Sequence, residues 1–228
     1  MTILANISIY SILLPLLVGI IFFRKLSNDS RLIWGVVLAG TIPQLLKPVI
    51  DNTTILYAVY NIYIAIEFII IAFLFSNKFY LKKFKSVFKI SIFVYVILSL
   101  PILILNGNQN RFLNEWICLN NLVYTTWILM FILEQYSNEY VFKLTYNSSF
   151  FWIITGMFLY SLCTLMVFSF WQFIQRSPKN VSDILKAIHE IFNTNLYLFF
   201  TIGFLTEIIP LKKRIIKTGV TFNEPINS

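Results

Sequence analysis

The chain has 228 residues, of which 58% are hydrophobic and only 12% are charged, and its mean hydropathy is +0.76. Because soluble domains carry about 25% charged residues, this composition excludes an ordinary soluble protein and indicates an integral membrane protein. The net charge of +8 does not indicate nucleic-acid binding, since most Lys and Arg residues lie in short segments beside apolar runs, where they set membrane topology. We therefore expect membrane lipids around the protein and no nucleic-acid partner.

Seven apolar stretches follow one another, each of about 20 residues, the length that crosses a hydrocarbon core about 30 Å thick. They are residues 2–23, 31–50, 54–76, 86–105, 112–135, 147–171 and 183–208. The first is too long for a signal-peptide core and has no basic residue before it, so we expect it to remain as a helix. The sequence predicts an all-α polytopic membrane protein, with one bundle of seven transmembrane helices over residues 1–208 and a short basic tail over 209–228.

The orientation of this bundle follows from its basic residues. Of the 18 Lys and Arg residues, 13 fall in the first, third and fifth connections and in the tail, which predicts an outside amino terminus and a cytoplasmic tail. A composition rich in Ile, Phe, Asn and Lys is typical of AT-rich bacterial genomes, so the expected location is the bacterial cytoplasmic (inner) membrane. Pro15, Pro43 and Pro101 lie inside apolar stretches, where each removes a backbone hydrogen bond and favours a kink.

Polar residues recur at helical spacing in five of the seven stretches. Ionisable groups deep in a bilayer are costly, so they are expected to face the interior of the bundle. The candidate ligand-binding residues are Gln44 in the second stretch, Tyr60, Asn61 and Glu67 in the third, Asn120 and Asn121 in the fifth, Tyr160 in the sixth, and His189, Glu190, Asn193 and Asn195 in the seventh.

These residues all fall in the outer half of the predicted bundle. At about 1.5 Å of rise per residue, Glu67 is the deepest, at about 20 Å from the outer ends of the helices. The inner halves are almost purely apolar. The pattern predicts a cup open to the outside, with Glu67 at its floor, and favours a receptor-like pocket over a pore.

Metal and cofactor chemistry find little support in the sequence. His189 and Glu190 begin the stretch HEIFN, which lacks the second His of the zinc motif HExxH, and the chain has no other His. Cys118 and Cys163 stand in separate apolar stretches and suggest neither a zinc cluster nor a disulfide framework. Lys186, near the outer end of the last stretch, is poorly placed for retinal. We therefore expect no metal and no cofactor.

A resemblance to known proteins rests on three fragments of the sequence. They are YNIYIAIEF at Tyr60–Phe68, FWIITGMFLY at Phe151–Tyr160 and HEIFNTN at His189–Asn195. They resemble a group of uncharacterised, small seven-helix membrane proteins of Bacteroidota-type bacteria, some of whose relatives are similar to the membrane sensor portions of histidine kinases. The resemblance implies sensing of an extracytoplasmic signal. Because this chain has no kinase, it also implies a separate cytoplasmic signalling partner.

Three functions stay open at this point. The first is a receptor-like sensor that binds a small or lipidic ligand in the outer half of the bundle. The second is a small-solute transporter with a 3+1+3 helix layout, since Asn61 of the third stretch aligns with Asn193 of the seventh. The third is a lysoplasmalogenase-like membrane lipid hydrolase with Glu67 or Glu190 as general base, but the residues form no recognisable catalytic motif, and enzyme activity is the less favoured alternative. The sequence leaves the oligomeric state open.

Overall fold

A computed structural model describes residues 2–46, 49–50, 52–106, 113–137 and 148–209. Within these ranges the regular structure is helical, which confirms the predicted all-α class. The helices are α1 (Thr2–Ser11), α2 (Leu13–Phe22), α3 (Asn28–Leu46), α4 (Thr53–Ser76), α5 (Lys82–Asn106), α6 (Asn114–Ser137), α7 (Ser149–Ser169), α8 (Trp171–Arg176) and α9 (Lys179–Ile208), with one 3₁₀ turn at Phe23–Lys25. Of the predicted basic tail, 209–228, only Ile209 is among the described residues.

The first predicted span is built from two helices instead of one. The break falls at Ile12, between α1 and α2, three residues before Pro15. Proline has no N–H to donate to the carbonyl four residues earlier, here that of Ser11, so the helical ladder is interrupted at this turn. Pro43 and Pro101 lie inside α3 and α5, which continue through them.

Six helical segments of the described chain are long and apolar enough to cross a membrane. They are Ile3–Lys25, Thr53–Ser76, Lys82–Pro101, Asn114–Tyr136, Ser149–Ser169 and Lys179–Ile208. Large apolar side chains also cover the outside of the bundle, among them Ile21, Ile69 and Phe93, each at least 66% exposed. Such a continuous apolar surface is what lipid contact requires, and the chain fits a multi-pass membrane protein.

The remaining predicted span, 31–50, corresponds to α3, which is not among these six. Asp29 and Arg31 in its first turn and Gln44 near its end make it less apolar than the others. Its two ends nevertheless lie at opposite ends of the bundle. Ser30 contacts Glu207, near the end of α9, whereas Gln44 lines the same cavity as His189, about five turns earlier in α9.

The helices are arranged around the bundle in chain order. The α3 helix packs on α4, α6 packs on α5 and α7, and α7 packs on α9. The ring is closed because α9 also packs along both α1 and α2. This arrangement leaves an interior that side chains from α1, α3, α4, α6, α7 and α9 reach together.

Two carboxylates, Glu207 and Glu134, bind helix starts at the same end of the bundle, which is called the inner end. Glu207 of α9 accepts hydrogen bonds from the Ser27 backbone N–H at 2.7 Å and from the Ser30 hydroxyl at 2.8 Å, at the start of α3. Glu134 of α6 accepts from the backbone N–H groups of Tyr80 and Leu81, just before α5. A carboxylate at a helix start satisfies backbone donors that have no partner inside the helix, and it complements the helix dipole.

Candidate functional site

A cavity of about 250 Å³ lies inside the ring of helices. The α4 helix supplies one wall through Tyr60, Tyr63, Ile64, Glu67 and Ile71. Their spacing of three, one, three and four residues places them on one face of the helix. The opposite wall is formed by α7 and α9, and α3 and α6 supply the sides.

Nine of the eleven residues predicted from the sequence line this cavity. They are Gln44, Tyr60, Glu67, Asn120, Asn121, Tyr160, His189, Glu190 and Asn193. They come from five helices that are far apart in the sequence, so the bundle brings together what helical spacing alone could only place on separate faces.

The other two predicted residues, Asn61 and Asn195, are both described and lie outside the cavity lining. Successive residues of a helix are rotated by about 100°. Asn61 is therefore turned away from the face of Tyr60 and Glu67. Asn195 is two positions after Asn193, which places it on nearly the opposite side of α9. For these two residues the prediction of a ligand contact has no support from the geometry.

The lining also contains polar residues that were not predicted as site residues. Ser8 of α1, Tyr63 of α4 and Ser161 of α7 all face the cavity. Tyr63 could have been found from its spacing, because it stands three residues after Tyr60 and four before Glu67. Ser8 and Ser161 carried no such signal, since single serines are common in membrane helices and commonly bond to their own backbone.

Glu67 and Tyr63 form the polar contact nearest the floor. The Tyr63 hydroxyl lies close enough to the Glu67 carboxyl to interact with it, as an i, i+4 pair on one helix face allows. The ring of Tyr63 lies over Gly40 of α3: a Cβ atom added at Gly40 would stand only 3.2 Å from its ring carbons. The missing side chain of Gly40 thus makes room for the tyrosine that lies next to Glu67.

Several lining amides serve the bundle itself. Asn120 accepts a 2.6 Å hydrogen bond from the Tyr95 hydroxyl, and its Nδ2 donates to the Ile64 carbonyl at 3.4 Å, which ties α6 to α5 and α4. Asn193 donates from its Nδ2 to the Ser8 hydroxyl at 2.8 Å and joins α9 to α1. Interhelical bonds of this kind position the walls of the cavity and leave these donors engaged.

Other buried polar atoms at the cavity have no hydrogen-bond partner among the described residues. They are the hydroxyl of Tyr124, which is 3% exposed, and Nε2 of His189. The His189 ring is packed between aromatic rings, with centroids 5.8 Å from Tyr160 and 5.5 Å from Phe168. Buried polar atoms in native proteins are nearly always bonded to protein, water or a ligand. The side chains of both residues line the cavity, but the two atoms themselves are buried, so a ligand reaches them only if these rings turn toward it.

A layer of apolar side chains closes the cavity toward the inner end of the bundle. Its members are each buried completely and come one or two turns below the lining residues of their helices: Ile33, Phe75, Trp127, Ile128, Ile153 and Phe204. Aromatic contacts run through this layer, for example between Phe75 and Trp127 with centroids 5.9 Å apart. The layer agrees with the apolar residues predicted beneath the cup, but the prediction that the inner halves are almost purely apolar is wrong for the region beyond this layer.

Below this layer lies a second group of polar residues, which the sequence did not predict. It surrounds a separate cavity of about 280 Å³. Lys78 pairs with Asp29 there, and Glu207 reaches Ser149 through the Ser30 hydroxyl, with 2.9 Å between the two serine oxygens. Most of these groups pair with one another. We therefore interpret the residues around the second cavity as a structural cluster that joins the inner ends of α3, α7 and α9.

The described residues contain no group of three or more His, Cys, Asp or Glu side chains that could hold a metal ion. The two cysteines, Cys118 and Cys163, are both free and lie on different helices. Among known proteins, no family model, curated protein or solved structure matches the chain. The fold fits a polytopic α-helical membrane protein, and its interior holds a cavity with both polar and apolar side chains in its lining.

Proposed function

We propose that this protein is a seven-helix receptor-like sensor of the bacterial inner membrane that binds a small ligand in the cavity between α3, α4, α6, α7 and α9. In this proposal the amino terminus and the cavity face outward and the basic tail faces the cytoplasm. The ligand-bound state is passed to a separate cytoplasmic signalling partner. The surrounding membrane lipids contact the apolar outer surface.

One observation carries this proposal: a cavity with polar side chains in a partly apolar lining, in one half of the bundle, ends on a layer of completely buried apolar side chains. A ligand that enters from the polar side meets Phe75, Trp127 and Phe204 before it could pass further. A closed cavity of this kind suits binding, whereas permeation needs a continuous polar path. At about 250 Å³ the cavity lies below the roughly 300–1,000 Å³ of drug-sized pockets, which favours a small solute over a whole lipid.

The orientation rests on the distribution of basic residues and on the course of α3. The contacts of α3 at both ends of the bundle support its role as a membrane-crossing helix despite its polar ends. Seven crossings put the two termini on opposite sides, as the excess of Lys and Arg near the inner ends requires. Four exposed lysines at the start of α5, Lys82, Lys83, Lys85 and Lys89, then lie at the cytoplasmic surface.

The proposal is tested with the purified full chain in lipid nanodiscs, screened by thermal unfolding against small organic cations, neutral solutes and anions. Ser161→Leu narrows the cavity, and Ser161→Ala is its matched control. We expect at least one compound to raise the melting temperature of the wild type and of Ser161→Ala in a saturable way, and to lose that effect in Ser161→Leu. A screen in which no compound stabilises the wild type would overturn the proposal.

Transport is the second candidate, and the cavity at the inner end favours it. Polar cavities on both sides of a thin apolar layer are what an alternating-access transporter presents in an occluded state. Proteoliposomes separate the two functions, because a sensor binds its ligand without net uptake. Accumulation of the stabilising compound inside proteoliposomes, abolished by Ser161→Leu, would favour the transporter.

A further inference from the structure

The cavity lining contains acidic side chains but no Lys or Arg among its described residues. The acidic side chains are Glu67 of α4 and Glu190 of α9. In the described part of the chain the one ion pair joins Lys78 to Asp29, below the apolar layer. The cavity thus holds two carboxyl groups from different helices, and no ion pair joins either of them to a described Lys or Arg. The nearest lysine along the chain, Lys186, is exposed one turn before Glu190 on α9.

A carboxylate inside a membrane protein is costly unless a positive charge or several hydrogen-bond donors stabilise it. The Tyr63 hydroxyl is a donor close enough to Glu67 to interact with it. Tyr124, Tyr160 and Tyr197 lie close enough to Glu67 to interact with it electrostatically. Phenol groups can screen a carboxylate, but they do not neutralise it, so a cation that enters the cavity is attracted to Glu67 when its carboxyl is ionised.

The aromatic content of the lining fits the same ligand. Five tyrosines contribute to it, from α4, α6, α7 and α9: Tyr60, Tyr63, Tyr124, Tyr160 and Tyr197. The faces of aromatic rings attract organic cations, and cages of such rings are a recurrent means of binding ammonium groups. A metal ion would instead need several oxygen or nitrogen ligands at short range, and the described residues contain no group of three or more His, Cys, Asp or Glu side chains that could hold one.

The unpartnered atoms of the lining offer acceptors for N–H donors. The Tyr124 hydroxyl lies beside Asn120, but the Asn120 amide is already engaged with Tyr95 and Ile64. Nε2 of His189 is buried without a partner. Either atom can accept a hydrogen bond from a ligand if its ring turns toward the cavity, and for His189 the imidazole must also carry its proton on the other nitrogen.

We propose that the cavity recognises a small organic ammonium compound, with its charged nitrogen among the tyrosines next to Glu67 and the rest of the molecule extending toward Glu190 and His189. This inference rests on the proposed function and gives its ligand a chemical class. It assigns Glu67 the role of counter-ion at the floor, and it makes Tyr63 a positioning residue that orients that carboxyl.

The test compares cations with neutral molecules of the same shape on the full chain in nanodiscs of zwitterionic lipid. One pair is choline and 3,3-dimethylbutan-1-ol, in which carbon replaces the charged nitrogen. The other is 2-phenylethylamine and 2-phenylethanol. Isothermal titration calorimetry gives the dissociation constants. We expect at least one cation to bind tenfold or more tightly than its neutral counterpart.

Two variants test whether Glu67 causes the tighter binding of the cation. Glu67→Gln keeps the shape of the side chain and removes its charge, so it is expected to abolish the preference for the cation. Glu115→Gln, at an exposed carboxyl of α6 outside the lining, is expected to leave it unchanged. If Glu67→Gln does not elute as a single folded species in gel filtration, Glu190→Gln is used instead, with a loss of at least threefold expected.

Each outcome decides a different question. Equal binding of a cation and its neutral counterpart, or a preference that survives the substitution of Glu67, overturns the ammonium proposal. If neither pair binds but neutral or anionic compounds from the wider screen do, the ammonium proposal fails and the ligand-binding function stands. If nothing in the screen binds, both fail.

Discussion

The Asn193 side chain donates a 2.8 Å hydrogen bond to the hydroxyl of Ser8, and this bond joins the last long helix of the bundle to the first. The two residues stand 185 positions apart in the sequence, and both line the cavity. Ser8 is 1% exposed and sits in α1, above the break at Ile12. The bond therefore fixes the upper part of the first span against α9 where the cavity wall is completed.

Substitution of Ser8 by Ala is expected to lower the free energy of unfolding by about 1 kcal/mol, because interhelical hydrogen bonds in membrane proteins contribute roughly 0.6 to 1.7 kcal/mol. SDS-titrated unfolding in detergent micelles measures the change. The matched control is Ser76→Ala: Ser76 is exposed and donates only to the Phe73 carbonyl of its own helix. An effect of Ser76→Ala as large as that of Ser8→Ala would contradict this account.

The second prediction concerns Glu134, which is 0% exposed and whose Oε1 accepts from the backbone N–H groups of Tyr80 at 2.8 Å and Leu81 at 2.5 Å. Glu134→Ala leaves both donors unpaired at the start of α5 and is expected to destabilise the fold by about 3 kcal/mol. Glu134→Gln keeps an acceptor oxygen and should cost about half as much. Tryptophan fluorescence reports the unfolding, since Trp127 is in the neighbouring layer.

The control for Glu134 lies on the same helix. Glu115 is exposed near the outer end of α6, and Glu115→Ala is expected to change the stability by less than about 0.5 kcal/mol. Comparable losses for the two alanine variants would show that the carboxylate at the start of α5 has no special role.

The third prediction separates binding from stability at Gly40. A methyl group there would approach the Tyr63 ring to 3.2 Å, so Tyr63 must shift and its contact with Glu67 is disturbed. Gly40→Ala is expected to weaken ligand binding at least fivefold while the melting temperature changes little. Gly35→Ala, about one turn away on α3, is the control because its nearest neighbour, Ile70, is at an ordinary 3.9 Å. Equal affinities of the two variants would refute the positioning role of Tyr63.

The fourth prediction concerns topology. With the basic residues concentrated beside the inner ends of the helices, alkaline phosphatase fused after the tail should be inactive, and a fluorescent protein at the same place should fluoresce. Alkaline phosphatase activity in that fusion would mean that the cavity faces the cytoplasm.

Helical periodicity predicted much of the candidate site. Tyr60 and Glu67 repeat at the spacing of one helix face, and His189, Glu190 and Asn193 do so on another, so their convergence followed from the rule that membrane-buried polar groups face inward. Asn195 was included for its depth alone, and its rotation on α9 was not considered. The rotation of a residue and its depth have to agree before it can be assigned to a cavity.

Helical periodicity could not predict the polar contacts at the inner end of the bundle. Glu207 and Glu134 were visible as acidic residues near helix ends, but their partners are backbone N–H groups at the starts of α3 and α5, which no side-chain pattern reveals. Ser8 was equally hidden, because its bond to Asn193 depends on which helices become neighbours around the ring. These contacts come from tertiary packing and not from local sequence.

The central claim is that the cavity opens to the outside and is sealed from the cytoplasm by the apolar layer. It is tested by labelling single cysteines with a membrane-impermeant cationic methanethiosulfonate in right-side-out and inside-out vesicles, after Cys118 and Cys163 are replaced by Ala. Ser161→Cys places the thiol in the cavity, and Ile153→Cys places it in the apolar layer, about 12 Å lower on α7. We predict labelling of Ser161→Cys from the outside only, and no labelling of Ile153→Cys from either side. Modification of Ser161→Cys from the cytoplasmic side, or of Ile153→Cys from either side, would contradict the claim.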